Sequence, residues 1–210
     1  MRSKTTTSGL AAFAFIALVT LQPLVVAQPC EAKQKMDAAH SEHPVTEEIH
    51  GGKTFNVSHA LIKAKPDDVW HVLTDYNNAS RVFPMMKKCQ VLEDKGSTKL
   101  MKHVIAPTGS ICNYEYIIAL KETAKRALEW KRVSGSFKEV DGFWRLEAVD
   151  GGRHTHVTYA THVNGGMFIP QGLIKRQFRI DMPEVMTLLT HRVEGSTQIA
   201  ARRDSSSQSQ

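Results

Sequence analysis

The chain has 210 residues, 41% of them hydrophobic, with 27 Lys and Arg against 21 Asp and Glu and a formal net charge of +6. That length suits one domain with appendages. So mild a basicity, with no dense Lys/Arg stripe, argues against a nucleic-acid partner and leaves room for weak attraction to anionic lipid headgroups.

Residues 1–27 read as a signal peptide. Arg2 and Lys4 give the positive start, Gly9 to Leu21 the apolar run, and Val25-Val26-Ala27 a cleavage site after Ala27. The run is short for a membrane-spanning helix, and Pro23 interrupts its end. The expected location is therefore periplasmic or extracellular. Export would put Cys30, Cys89 and Cys112 in an oxidising compartment. The odd count leaves at least one thiol unpaired or paired between molecules, and whether Cys89 and Cys112 pair stays open. Residues 28–52, rich in Lys, Glu, His and Ala and ending at Gly51-Gly52, read as a disordered linker. Their His40, His43 and His50 match no metal-site spacing and read as solvated side chains.

The folded domain is expected over 53–196. Lys53 to Lys65 reads as a strand, with Phe55, Val57 and Leu61 on one parity and Ala60, Ile62 and Ala64 on the other. Pro66-Asp67-Asp68 opens a helix, since proline suits a first turn and aspartates suit its positive end. Ala79 to Phe83 gives a second short helix. A meander of antiparallel strands follows, at Lys88–Glu93, Lys99–Ala106, Ile111–Lys121, Arg126–Val133, Glu139–Val149 and His154–Val163. The turns between them include Asp94-Lys95-Gly96-Ser97 and Asp150-Gly151-Gly152. The last element is a long helix between Phe168 and Glu194. Leu173, Ile174, Phe178, Met182, Val185, Met186, Leu189 and Val193 form one apolar stripe. Pro183 is expected to kink or restart this helix and Gly195 to end it, with residues 197–210 as a disordered tail. The fold class is α+β: a seven-stranded curled antiparallel sheet wrapped around the long helix, with one or two short helices after the first strand. A curled sheet twists away from a straight helix, and the gap is where an apolar molecule would sit.

The chain from about Phe55 to Glu194 resembles the START-like, or Bet v 1-like, helix-grip superfamily. It is most similar to the polyketide cyclase/dehydrase group, also called the coenzyme-Q-binding START-domain family. The residues that carry the likeness are Ala64-Lys65-Pro66-Asp67-Asp68-Val69-Trp70 with Leu73, Asp75 and Tyr76; Gly142-Phe143-Trp144-Arg145-Leu146; Thr155 to Tyr159; Ile169-Pro170; Asp181-Met182-Pro183-Glu184; and Leu188-Leu189. The resemblance implies a binder of lipid, sterol or isoprenoid quinone, or a cyclase. Fold does not choose between these.

Tyr114, Tyr116, Trp130, Trp144 and Tyr159 share the parity assigned to the inner face. They serve as candidate pocket wall or as core, apolar bodies with polar tips. Phe178, Met182 and Met186 on the helix complete the candidate ligand-binding set. Arg145 is the candidate polar anchor. By default it and the other ionisable residues within strands, His103, Glu115 and Lys131, are expected on the outer face. His154, His156 and His162 share a strand face and are read as solvent-facing rather than metal-ligating. Phe83-Pro84-Met85-Met86 and Met167-Phe168-Ile169-Pro170 are apolar loops that suit either a mobile mouth touching a membrane or buried packing.

There is no His-Glu-x-x-His, phosphate-binding glycine loop, Cys-x-x-Cys or Gly-x-Ser-x-Gly. No metal, cofactor or catalytic set is therefore assigned, and whether the chain is an enzyme stays open. The first expectation is an exported carrier of a hydrophobic small molecule. The alternatives are a cyclase/dehydratase-type enzyme or a protein-interaction domain with a filled cavity.

Overall fold

The structure is a computed structural model in which residues 42–207 are described, with side chains through 199. The proposed signal peptide, its cleavage site, Cys30 and His40 lie outside the described residues.

Eight strands form one antiparallel sheet. They are β1 (Thr46–His50), β2 (Lys53–Ile62), β3 (Met86–Asp94), β4 (Thr98–Ile105), β5 (Tyr114–Thr123), β6 (Ala127–Gly135), β7 (Glu139–Val149) and β8 (His154–Asn164). The sheet order is β1-β2-β8-β7-β6-β5-β4-β3, so β3 to β8 run as a meander and only the β2–β8 pairing joins distant parts of the chain. Helices α1 (Pro66–Thr74) and α2 (Ala79–Val82) lie between β2 and β3, and α3 (Gln171–Ser207) ends the described chain.

The eighth strand corrects the expected linker. Residues 46–50 pair with β2, from Thr46 opposite Val57 to His50 opposite Lys53. Gly51 and Gly52 are the two residues of that hairpin turn, with φ of 56° and 79°. Positive φ at both central positions suits the right-handed twist of the strands, and glycine adopts it without steric cost.

Helix α3 also departs from expectation. It runs unbroken through Pro183 and past Gly195 to Ser207, over the span expected to be a tail. Gly195 does not take the left-handed conformation that would cap a helix. Thr187, Thr190 and Thr197 donate their hydroxyls to the carbonyls four residues back, as helical threonines do. The helix begins just after Pro170, whose carbonyl accepts from the Leu173 and Ile174 amides.

Period-2 alternation decides which face of the sheet meets α3. Ala60 and Ile62 on β2, Met101 on β4, Ile118 and Leu120 on β5, Leu128 on β6, Val140 and Leu146 on β7 and Val157 on β8 pack into one core with Met186, Leu189 and Val193 of α3 and Val69 and Leu73 of α1. Full burial of each large aliphatic side chain contributes about 2 kcal/mol. The opposite face carries a small separate cluster of Phe55, Val57, Phe143 and Ala160.

A buried polar link fixes α1 against the sheet. Thr155 is fully buried, and its Oγ1 donates a 2.8 Å hydrogen bond to the Ala64 carbonyl just before α1. Thr155→Val keeps the shape and leaves that carbonyl unpartnered. It is expected to lower stability by about 1–2 kcal/mol in urea unfolding, with an unchanged m-value.

Candidate functional site

The core is not filled from end to end. The middle of α3 packs directly on α1 and the sheet through Met186, Leu189 and Val193. Towards its N-terminus the curling sheet leaves a cavity of about 690 Å³, lined mainly by apolar and aromatic side chains.

Strand register builds the wall. His103 of β4 lies directly opposite Tyr116 of β5, and their rings meet edge to face at 5.5 Å. Phe137, just before β7, packs on both Tyr114 and Tyr116 at 5.1 and 5.5 Å. Trp144 of β7 lies opposite Tyr159 of β8, and the two rings stack at 4.1 Å, nearly parallel. Trp130 of β6 lies over Gly142 of β7, its register partner, with its ring 6.2 Å from that of Tyr159. The helix side is supplied by Ile174, Phe178, Met182 and Val185. Of the expected ligand-binding residues, Tyr114, Tyr116, Trp130, Trp144, Tyr159, Phe178 and Met182 all line this cavity.

Two expected site residues are elsewhere. Met186 is fully buried in the core one turn beyond Met182, where helix and sheet are in contact. Arg145 points out from the opposite face of β7, its guanidinium 4.5 Å above the Phe143 ring. Strand parity puts it there, because its neighbours Trp144 and Leu146 face in. Glu115 is likewise outside, paired with Lys102 at 2.7 Å, and Lys131 is exposed. The histidines of β8 sit outside beside carboxylates: His154 by Asp150, His156 by Glu147 and His162 by Glu139.

His103 corrects the default of outer-face charge. It shares parity with Met101 and Ile105, so its ring enters the cavity wall. Burial lowers its pKa to about 4, which makes it a neutral imidazole at physiological pH.

The carboxylate among the lining residues is Asp181, at the cavity side of α3. Burial raises its pKa, against the lowering effect of hydrogen bonds from Thr108 and Gln177. Its Oδ1 accepts from the Thr108 amide at 3.2 Å and from Gln177 Nε2 at 3.0 Å. Gln177 also donates to the Thr108 carbonyl, and Thr108 Oγ1 donates to Glu184. Thr108 thus ties the β4–β5 loop to α3 beside the mouth. In the sequence Asp181 has no site role and stands only among the residues that carry the family likeness.

At the far side, Tyr76 donates a 2.6 Å hydrogen bond to Glu122, and Cys89 faces the cavity with its thiol pushed up by burial to about 11. Such a thiol is a weak nucleophile at neutral pH. Cys89 and Cys112 are both free, and Cys112 is exposed. Phe83, Met85, Met86 and Ile169 line the cavity, while Met167 and Phe168, each 92% exposed, project into solvent.

Solved structures with the same fold include a STAR-related lipid transfer protein from Xanthomonas axonopodis (19% identity, 72% of this chain and 93% of that one, TM-score 0.59). They also include the Zhui aromatase/cyclase of a Streptomyces species (14%, 67% and 93%, 0.59) and a START superfamily protein from Mycobacterium smegmatis (15%, 67% and 97%, 0.58). At such identities the likeness is one of fold. Among curated proteins, no sequence relative was found. The sequence profile described as polyketide cyclase / dehydrase and lipid transport matches residues 62–189, which span the cavity from the end of β2 to Leu189. The chain belongs to the polyketide cyclase/dehydrase and lipid transport family.

Proposed function

We propose that this protein binds and carries a hydrophobic small molecule in the cavity between the sheet and α3. The observation that carries the reading is the cavity itself. Its volume of about 690 Å³ falls inside the roughly 300–1,000 Å³ usual for ligand sites, and its wall is predominantly apolar. A protein-interaction domain with a filled core would have no such space. Burial of ~300 Å² of apolar ligand surface supplies about 7 kcal/mol before association costs, enough for a carrier without covalent chemistry. Export after residue 27 and transient contact with a membrane surface belong to the same proposal. The exposed Met167 and Phe168 near the start of α3, and Ile111 in the β4–β5 loop, suit the latter.

The test is to express the whole chain in a bacterium with an exporting leader, purify it without detergent, and identify solvent-extracted small molecules by mass spectrometry. Val185→Trp would fill the cavity from the helix side. The expected result is a stoichiometric apolar molecule in the parent protein and its loss from a folded Val185→Trp variant. No bound molecule, together with no uptake of an added apolar dye by the folded parent, would overturn the reading.

A second reading has its own observation. His103 and Asp181 are ionisable groups with shifted pKa values inside one cavity, the arrangement that acid–base catalysis uses. Recovery of a chemically altered ligand from the parent but not from His103→Gln would favour an enzyme of the cyclase/dehydratase type.

A further inference from the structure

The polar atoms of the cavity wall are unusual for a simple apolar pocket. No described residue hydrogen-bonds to the hydroxyl of Tyr116 or Tyr159, to the His103 ring, or to the indole N–H of Trp130 or Trp144. Among the described side chains the one fully buried nitrogen or oxygen without a partner is Arg132 Nε. The five polar tips therefore are not sealed in the core; they keep accessible surface on residues that line the cavity. Buried hydroxyls and N–H groups normally find partners, and a wall of unpartnered ones is arranged for a guest that supplies them.

Their grouping is specific. Tyr116 sits beside His103, their rings edge to face at 5.5 Å, and Tyr159 lines the same cavity. Tyr159 in turn feels the Asp181 carboxyl. Burial raises the pKa of both phenols, so both stay protonated and able to donate. The one permanent cation among the lining residues is Arg176, and it is exposed on α3. A carboxylate or phosphate carried to the Tyr116–Tyr159 end would lose its hydration, meet no cation there, and approach Asp181. An uncharged oxygen would accept from the phenols at no such cost.

We infer that the cavity selects a flat apolar molecule bearing an uncharged oxygen acceptor, such as a carbonyl, which the hydroxyls of Tyr116 and Tyr159 hold beside His103, and that it rejects carboxylates and phosphates. A flat guest suits the aromatic wall that Trp130, Trp144 and Tyr159 supply. This deepens the carrier reading and rests on it.

Three probes of matched size separate the two ideas: 2-ethylnaphthalene, 2-acetonaphthone and 2-naphthoate. Affinities are measured with the whole chain, by quenching of tryptophan fluorescence and by calorimetry at pH 7.5. The expected order is 2-acetonaphthone about tenfold tighter than 2-ethylnaphthalene, as one or two hydrogen bonds would give, with 2-naphthoate weakest. The ketone-to-hydrocarbon affinity ratio is then read in Tyr116→Phe, Tyr159→Phe and the double variant, with folding checked by circular dichroism. The ratio should shrink in each single variant and approach one in the double. A merely structural role for the tyrosines would change both affinities together and leave the ratio alone. Tightest binding by 2-naphthoate, equal affinity for ketone and hydrocarbon, or a ratio that survives the double substitution would overturn this inference and leave the carrier reading standing. Failure of all three probes to bind the folded protein would overturn both.

Discussion

Gly142→Ala is expected to lower the stability of the domain by about 3 kcal/mol, the upper range for overpacking a filled interior. Gly142 has no left-handed φ, so the reason is space rather than backbone freedom. A Cβ there would overlap the Trp130 indole and stand 2.8 Å from the Ala160 carbonyl oxygen. The indole is not a flexible tip that can swing aside, and Ala160 O belongs to the neighbouring strand β8, which pairs with β7 along its whole length. Relief requires either rotation of Trp130 into the cavity or separation of β7 from β8. The first would also cut ligand capacity; the second would cost ladder hydrogen bonds. Urea unfolding would read the loss. The double variant Gly142→Ala/Trp130→Leu should recover part of it relative to Trp130→Leu alone, because the ring overlap is gone while the Ala160 contact remains. Additive effects in that cycle would mean that Trp130 does not depend on Gly142 for its place in the wall.

The same glycine illustrates what could be read from the chain alone. Gly142 falls on the inward parity with Val140, Trp144 and Leu146, so the face of β7 was plain from alternation. That a ring from β6 occupies the missing side chain's space was not, because it depends on the register of two strands. Alternation likewise placed Tyr114, Tyr116, Ile118 and Leu120 together, and the structure keeps them on one face. Alternation applied to β4 would also have turned His103 inward with Met101 and Ile105. The rule that charge lies outside overrode it, although a neutral histidine is a legitimate wall residue. Strand β1 was hidden by composition: Thr-Glu-Glu-Ile-His offers one large apolar residue, and that residue, Ile49, is exposed at the sheet edge. The glycine pair after it was nonetheless a hairpin signal. Met182 and Met186 differ for a further reason. They lie four residues apart on one helical face, so their periodicity is the same. One lines the cavity and the other is core only because the sheet curls away from α3 between them, and that curl arises from twist and register over several strands.

Acid should destabilise this protein earlier than its carboxylates alone would require, and His103 should carry much of the effect. The His103 pKa falls from an ordinary 6.5 to about 4 on folding, because burial opposes the charged ring. Above pH 6.5 the ring is neutral in both states and adds no pH dependence. Between 6.5 and 4 the unfolded chain binds a proton that the folded chain refuses, so stability falls as pH falls through that window. The full difference is about 3 kcal/mol at most, and water in the cavity would reduce it. Asp181 works in the opposite sense. Its folded pKa is raised, so the folded chain takes its proton before the unfolded one does, and acid relieves part of its burial cost. The net profile of the parent mixes the two, and the difference between parent and His103→Phe isolates the histidine. Phenylalanine keeps an aromatic ring against Tyr116, so the wall is preserved. The unfolding free energy should decline between pH 7 and pH 5 clearly less in His103→Phe than in the parent, with the two curves parallel above pH 7. Parallel curves throughout would mean that the imidazole takes up its proton as readily in the cavity as in water. The wall would then be wet at that point, and His103 would be available at pH 6 as a cation facing the guest. That outcome would also remove the physical ground for excluding carboxylates from this end of the cavity.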